Sequence, residues 1–403
     1  METVTKKVNR IYSKENPSTY LKNLNQLDKF INNRVNLLLD LKLPKKIFKN
    51  SSLIDFGSGA GLNTIVYSFL GAKCTLVEYD KKSIEYSKKL FKKFSKNKFK
   101  IINKDIFGLK INKKYDFVIS NGVAHHTKNP LLNLKICVKA LKKNGFFILG
   151  IGETNGFFQR NLQRYILYSL SNNEREMIIL AKSLFKKHLI RSKKFSGRTV
   201  NEIIYDTYLN PKINTLSLIE ILKFFKKNNL EVYSFYGKIK SLEGFLENNP
   251  NQFKLKNPSS KKKSLVSSLN TNLHDIENFS LTTNKVNKSH HDLYNKFNQL
   301  NDSLNKLTES INDISFDMKN KRINHKEINP IIKKVKNLSK IDIIDKDYNL
   351  KFLSELRPLF KILNSKTKKE NKIIKIKKYL SICNALLKGV NGTGMNYVVG
   401  YKK

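Results

Sequence analysis

An apolar run enters a glycine-rich turn at Leu53-Ile54-Asp55-Phe56-Gly57-Ser58-Gly59-Ala60-Gly61, and Leu62-Asn63-Thr64 opens the helix-like segment that leaves it. Glycines in such a turn take dihedrals that a Cβ forbids, and they let the backbone come close to a ligand. The helix beginning near Leu62 aims its free N–H groups and its dipole at whatever binds there. A Gly-x-Gly-x-Gly run alone is a weak signal, because ordinary α/β loops contain it, so the flanking pattern has to decide.

Downstream, strand and helix patterns alternate. Residues 53–56 read as a short buried strand and 73–79 as a second, ending in Glu78. Asp80 can cap a helix over Lys81–Phe94. Phe99–Asn103 reads as a third strand leading to Asp105, and 115–120 as a fourth. Residues 130–143 read as a helix, Asn144-Gly145 as a turn and 146–151 as a fifth strand. Alternation of this kind predicts a parallel sheet with helices on both faces. Ligands in such sheets bind beyond the carboxyl ends of the strands, where Glu78, Asp105 and the 121–127 loop all fall.

The alternation breaks at 152–224, which is helical in pattern, and resumes with a helix over 217–227 and a strand over 230–236. Residues 395–403 again read as a strand. A terminal strand after a helical excursion makes sense if it returns to the sheet, so it is expected to pair antiparallel with 230–236. Residues 242–388 then become an insertion. Within it Leu293, Phe297, Leu300, Leu304, Leu307, Ile311, Ile314 and Met318 step by four and three. That is the a/d seam of a coiled coil or of a long helical hairpin, and it offers a surface for a homo-oligomer over 293–318.

In their order and spacing these elements resemble the class I S-adenosylmethionine-dependent methyltransferases, in particular the group with a UbiE-like or type 11/12 methyltransferase domain. The resemblance is close over 50–151 and loose over 204–236 and the last strand. It implies a Rossmann-like, seven-stranded α/β sheet with helices on both faces. It implies that the loop carrying Asp55, Gly57, Ser58, Gly59 and Gly61 holds the methionine part of S-adenosylmethionine. Glu78 matches the acid that receives both ribose hydroxyls, with Tyr79 packing on the adenosine. Asp105-Ile106 matches the pair that bonds and flanks the adenine. Tyr115-Asp116-Phe117-Val118-Ile119-Ser120-Asn121-Gly122-Val123-Ala124-His125-His126-Thr127 matches the fourth strand and its loop, with Asn121 in the cofactor set. Leu141-Lys142-Lys143-Asn144-Gly145 matches the turn into the fifth strand, with Asn144 where proline or glycine is commoner.

The methyl acceptor is less legible. Methyl transfer from a sulfonium is an in-line displacement in which positioning and desolvation carry much of the catalysis. The loop after the fourth strand is Ser120-Asn121-Gly122, without the Asn/Asp-Pro-Pro-aromatic run that clamps planar amines. It has no Cys for a covalent thiolate route and no Asp pair for a magnesium site. An oxygen acceptor is left. His126, and next to it His125, are the candidates to take a hydroxyl proton, since imidazole titrates near neutral pH. Five Arg fall in 152–224 of a chain in which only nine of 77 basic residues are Arg. Arg binds carboxylate or phosphate in a planar fork. Arg160 and Arg164, four apart on one helix face, are therefore candidates for an anionic acceptor such as an acidic sugar, with Asp206 and Tyr208 beside them.

The expected organisation is a helical segment over the cofactor site in 1–50, the cofactor-binding core in 51–151 and a helical lid in 152–224. The sheet returns in 225–241, the Lys-rich insertion fills 242–388 and the final strand 389–403. The formal net charge of +45 resembles a nucleic-acid footprint. The excess is Lys spread along the whole chain, alongside abundant Asn and Ile, as an AT-rich genome would produce. The reading is therefore a methyltransferase acting on a small-molecule or glycan acceptor. An RNA-directed enzyme that binds through the basic insertion ranks below it, and a non-catalytic cofactor-binding scaffold lower still. Cys74, Cys137 and Cys383 have no metal-ligand spacing, so no metal is expected. No apolar run reaches the roughly 18 residues of a membrane span, and the polar first 16 residues do not read as a signal peptide. A cytoplasmic location is expected.

Overall fold

The computed structural model describes residues 4–16, 26–154, 157–236, 288–318, 321, 323, 328–338, 357–382 and 395–403. Helices α1 (Val4–Lys14) and α2 (Leu27–Asp40) precede the sheet. The central unit runs β1 (Ser52–Phe56), α3 (Leu62–Phe69), β2 (Lys73–Glu78), α4 (Lys81–Phe94), β3 (Phe99–Asn103), β4 (Tyr115–Asn121), α5 (Pro130–Lys139) and β5 (Leu141–Gly152). Local chemistry sets several of these boundaries. Asp80 accepts a hydrogen bond from Ser83 N at the start of α4. Asn129 accepts one from Leu132 N and is followed by Pro130 at the start of α5. The predicted turn at Asn144-Gly145 is instead carried inside β5, with Asn144 at φ 62°.

The segment expected to form a lid comprises α6 (Phe158–Leu170), α7 (Glu174–Leu184), α8 (Lys186–Ser196) and α9 (Val200–Ile204), which runs into one π-helical turn, Tyr205–Leu209. Helix α10 (Leu218–Lys227) starts in a capping box between Ser217 and Glu220 and leads to β6 (Leu230–Tyr236). Helices α11 (Lys288–Phe316) and α12 (Ile328–Leu338) come next, and β7 (Met395–Lys402) closes the described chain.

The seven strands lie in the order β3-β2-β1-β4-β5-β7-β6. Strands β1 to β5 are parallel, and β7 is antiparallel to both neighbours. The last strand thus pairs with β6 as expected, and also with β5 (Ile148 opposite Val399), so it enters the sheet rather than edging it. Val398 and Val399 are fully buried, which is the residue type a strand covered on both faces needs. Strand order reverses between β1 and β4. That switch point opens a crevice at their carboxyl ends, flanked by the glycine loop and the 121–127 loop.

The heptad seam has a use within the chain. Leu304, Leu307, Ile311 and Ile314 of α11 are buried in one core with Tyr165 and Ile166 of α6, Ile203 and Ile204 of α9 and Ile331 of α12. Of the two uses open to the seam, packing within the chain is the one seen over 304–314, where these apolar side chains have partners from the helices after β5. The side chains of Leu293, Phe297 and Leu300 lie outside the described residues, as do 17–25, 237–287, 339–356 and 383–394, so an expected closure of the acceptor site by the N-terminal helix near Tyr20 falls outside them too. Among the described residues no helix is long and apolar enough to cross a membrane.

Candidate active site

The glycine loop turns on three positive φ values, 71° at Gly57, 55° at Gly59 and 75° at Gly61. The backbone amides of Gly57 and Ser58 donate to Val77 O, tying the loop to the end of β2. A Cβ on Gly57 would stand 2.5 Å from a methyl of Val123, so only glycine fits between the two loops. The Ser58 hydroxyl is buried and has no hydrogen-bond partner among the described residues. A buried hydroxyl without a partner in a glycine cradle is what a polar ligand would complete.

Glu78 closes the other side. Its Oε2 accepts from Gly59 N at 2.7 Å, and its Oε1 accepts from Tyr79 N at 2.7 Å and Asp80 N at 2.9 Å. Burial pushes its pKa up, against the pull of those three amides. A carboxylate offers about four lone-pair sites, so Oε2 keeps one for a ligand hydroxyl. Asp55 is buried beneath the loop and accepts from Thr64 Oγ1 at 2.6 Å. Burial raises its carboxyl to about 7. Tyr79 is exposed at the mouth. Asp105 caps the short 3₁₀ turn Ile106–Gly108 by accepting from Phe107 N at 3.0 Å, and Ile106 is buried behind it. The Asn121 amide lies over Gly150, where a Cβ would come within 2.3 Å of its oxygen. These residues suit an adenosine-bearing cation: a carboxylate for hydroxyls, a buried acid below, and glycines that permit close approach.

On the acceptor side the two histidines differ. Gly152 N donates to His125 Nδ1 at 3.2 Å, so that nitrogen carries no proton. Burial, then the neighbouring His126 and Arg160, hold His125 neutral, with its pKa well below the usual value. His126 Nδ1 faces the Lys212 carbonyl at 3.1 Å, and a carbonyl can only accept, so Nδ1 donates. Its Nε2 is left with a lone pair, 3.7 Å from Asp206 Oδ1. Burial lowers the His126 pKa and Asp206 works against it. Asp206, on the π-helical turn, accepts from Arg198 Nη1 at 2.8 Å and from the Tyr12 hydroxyl at 3.3 Å. Burial would raise the Asp206 carboxyl, but Arg198, His126 and Arg160 together hold it below the usual value.

Helix α1 brings Tyr12 in. Ser13 Oγ and Asn16 Nδ2 donate to the two Asp80 oxygens at 2.8 and 3.1 Å, and Lys14 pairs with Glu174 at 2.7 Å. The helix therefore spans from the end of β2 to the lid.

The sequence candidates divide in three dimensions. Arg160 rests over the Phe157 ring at 4.5 Å, and among the described residues no hydrogen bond or ion pair engages its guanidinium. Asp206 and His126 come together as described. Arg164 and Tyr208 stand elsewhere and correct the expectation of an acceptor role. Arg164 is fully buried and donates to Asn312 Oδ1, Asn210 O and Tyr208 O. The Tyr208 hydroxyl is buried between His188 Nδ1 and Gln163 Oε1. Both are spent on holding the lid. Tyr12 and Arg198 join the site without having been singled out in the sequence. Local pattern does not reveal the contact between Tyr12 and Asp206, 194 residues apart.

Residues 54–149 match the family model described as a methyltransferase domain. With the strand order above, the chain carries a class I S-adenosylmethionine-dependent methyltransferase domain, and S-adenosylmethionine is the cofactor that domain takes. Over 123 residues the chain is 32% identical to a ubiquinone biosynthesis O-methyltransferase of Pelagibacter ubique, covering 30% of this chain and 50% of that protein. Over 103 residues it is 34% identical to the ribosomal RNA small subunit methyltransferase G of Mycoplasma capricolum, covering 25% of this chain and 43% of the relative. The chain thus spans about half the length of these relatives. Among solved structures, PKMT2 from Rickettsia typhi aligns with a TM-score of 0.38 at 18% identity, over 51% of this chain and 42% of that one.

Proposed function

We propose that the protein transfers a methyl group from S-adenosylmethionine to a hydroxyl of a small-molecule or glycan acceptor that carries an anionic group. The observation that carries this reading is the placement of His126, with Nδ1 against the Lys212 carbonyl and Nε2 3.7 Å from Asp206 Oδ1, beneath Tyr12 and next to Arg160. Bound S-adenosylmethionine supplies an electrophilic methyl group. The glycine loop, Ser58, Asp55 and Glu78 would hold it, and Asp105-Ile106, Asn121 and Tyr79 would take its adenosine. His126 Nε2 takes the acceptor's hydroxyl proton as the oxygen becomes nucleophilic, and Asp206 stabilises the imidazolium that results. Arg160 receives the acceptor's anionic group. Helix α1 and the lid exclude water, which strengthens each of these interactions.

The test is transfer of labelled methyl to a panel of hydroxyl acceptors, acidic and neutral. Acidic acceptors should turn over faster, and His126→Ala should lower kcat by about 10²–10⁴-fold with cofactor affinity kept. A variant with unchanged kcat on the best acceptor would remove His126 from the chemistry.

An RNA acceptor is the second reading. Two of the relatives, those of Mycoplasma capricolum and Prochlorococcus marinus, are named ribosomal RNA methyltransferases, and the net charge is +45. It predicts RNA binding that falls steeply with salt, as counterion release requires. A flat salt response would leave the small acceptor.

A further inference from the structure

Helix α11 belongs to the insertion between β6 and β7, yet it reaches the catalytic loop. Its Asn312 is buried and uses both ends of its amide. Oδ1 accepts from Arg164 Nη1 and from Ile213 N, each at 3.0 Å. Nδ2 donates to Ile213 O at 2.9 Å and to Asn214 Oδ1 at 3.2 Å. Asn312 thus grips both backbone polar groups of Ile213, as the next strand of a sheet would. One turn on, Ser315 Oγ donates to Asn210 O, which also receives Arg164 Nη2. Both ends of the 210–214 segment are therefore held by α11 and by the Arg164 that α11 anchors.

The same segment holds the histidine loop from the other side. Asn214 N donates to His125 O at 2.6 Å, and Asn214 Nδ2 donates to Thr127 O at 2.9 Å. Lys212 O receives His126 Nδ1. Its position is what puts the proton of neutral His126 on Nδ1 and leaves Nε2 bare. An imidazole without such a partner prefers its proton on Nε2, which would be the wrong form to take a proton from an acceptor there.

We propose that Asn312 is a positioning residue: by clamping the 210–214 segment against the histidine loop it fixes the tautomer and direction of the His126 ring. The insertion is then a working part of the active site. This rests on His126 being the group that takes the acceptor's proton, but the ring geometry can be tested apart from turnover. The groups around His126 are Asp206 of the π-helical turn, Tyr12 of α1, Arg160 of α6 and the adjacent His125, and the ring also feels the charge of Arg164, whose guanidinium is bonded to Asn312, Asn210 and Tyr208. Among the described residues the acceptor at Nδ1 is Lys212 O.

The experiment is nitrogen-15 NMR of the histidine rings in the full chain, with methyl transfer measured in parallel. In the unaltered protein, neutral His126 should show the Nδ1-protonated pattern. Asn312→Asp keeps the acceptor for Arg164 and Ile213 N but loses both donated bonds and sets an oxygen against Ile213 O. It should shift His126 toward the Nε2-protonated form and lower kcat by tenfold or more. Asn214→Ala, at a half-exposed position that the fold should tolerate, loosens the same segment and should shift the ring in the same direction by less. If Asn312→Asp does not fold, Asn214→Ala carries the test alone. A tautomer shift with unchanged kcat supports the positioning role and removes His126 as the base. An unchanged tautomer in every variant that folds overturns the proposal.

Discussion

His125 and His126 are neighbours in the chain, with ring centroids 4.2 Å apart, and they hold their protons on opposite nitrogens. The backbone decides this: an amide donates to Nδ1 of one ring and a carbonyl accepts from Nδ1 of the other. His125 is thereby a fixed part of the β5 end. Only His126 presents a lone pair toward the acceptor side.

The pH profile should show it. The His126 pKa lies below the ordinary 6.5 because burial outweighs Asp206. Methyl transfer should rise on the acid side with a midpoint below 6.5 and be flat through neutrality. Asp206→Asn removes the charge that favours the imidazolium, so kcat should fall and the limb move to lower pH. A limb that moves upward would mean the titrating group is another residue.

Glu78 anchors the glycine loop through Gly59 N, and on the proposed reading its remaining lone pair receives a ribose hydroxyl. Charge-assisted hydrogen bonds are worth about 1.5–3 kcal/mol each. Glu78→Ala should therefore weaken S-adenosylmethionine binding by about 10–100-fold in calorimetry, and Glu78→Gln by less. Unchanged affinity in the alanine variant would mean that the ribose is held elsewhere.

Asp55 should leave a signature in stability. Its carboxyl is about 7 in the fold and 3.8 when unfolded. Between those values the folded state holds a proton that the unfolded chain has released, so stability falls as pH rises from about 4 to about 7 and then levels. Denaturation midpoints measured across that window should show the slope, and Asp55→Asn should flatten it. A cationic ligand favours the ionised acid, so S-adenosylmethionine affinity should rise with pH over the same range.

Leu304 is buried within the chain, in the core that joins α11 to the lid. Leu304→Ala should cost about 2–5 kcal/mol of stability, measured by chemical denaturation. The sedimentation of the folded protein should not change. A loss of self-association without destabilisation would put the seam between copies instead.

Much of the fold was legible because the signals are local. Glycines at positive φ, an acid ending the second strand and the alternation of apolar runs depend on neighbours a few residues apart. Residues 53–61, Glu78 and Asp105 accordingly fall where the pattern put them. The acceptor side was legible only in part. Arg160 and Arg164 are indistinguishable in sequence, four apart on one helix, yet among the described residues one guanidinium rests on the Phe157 ring and the other is consumed by Asn312 and two carbonyls. The a/d steps of α11 marked an apolar seam but not which surface would cover it. The polar residues beside that seam, Asn305, Thr308, Asn312 and Ser315, carried a signal of the same spacing.

The sequence by itself determined the α/β sheet, which is written in short-range periodicity and turn chemistry, and its ordered motifs carried the resemblance that implied the domain class and the methyl donor. Only the tertiary structure decided how each histidine's Nδ1 is bonded, which arginine is held by Asn312 and what the insertion touches. Those depend on contacts between residues such as Tyr12 and Asp206, or Asn312 and Ile213, separated by 194 and 99 positions. Periodicity reports which face of an element is apolar; it does not report which distant polar group completes a hydrogen bond.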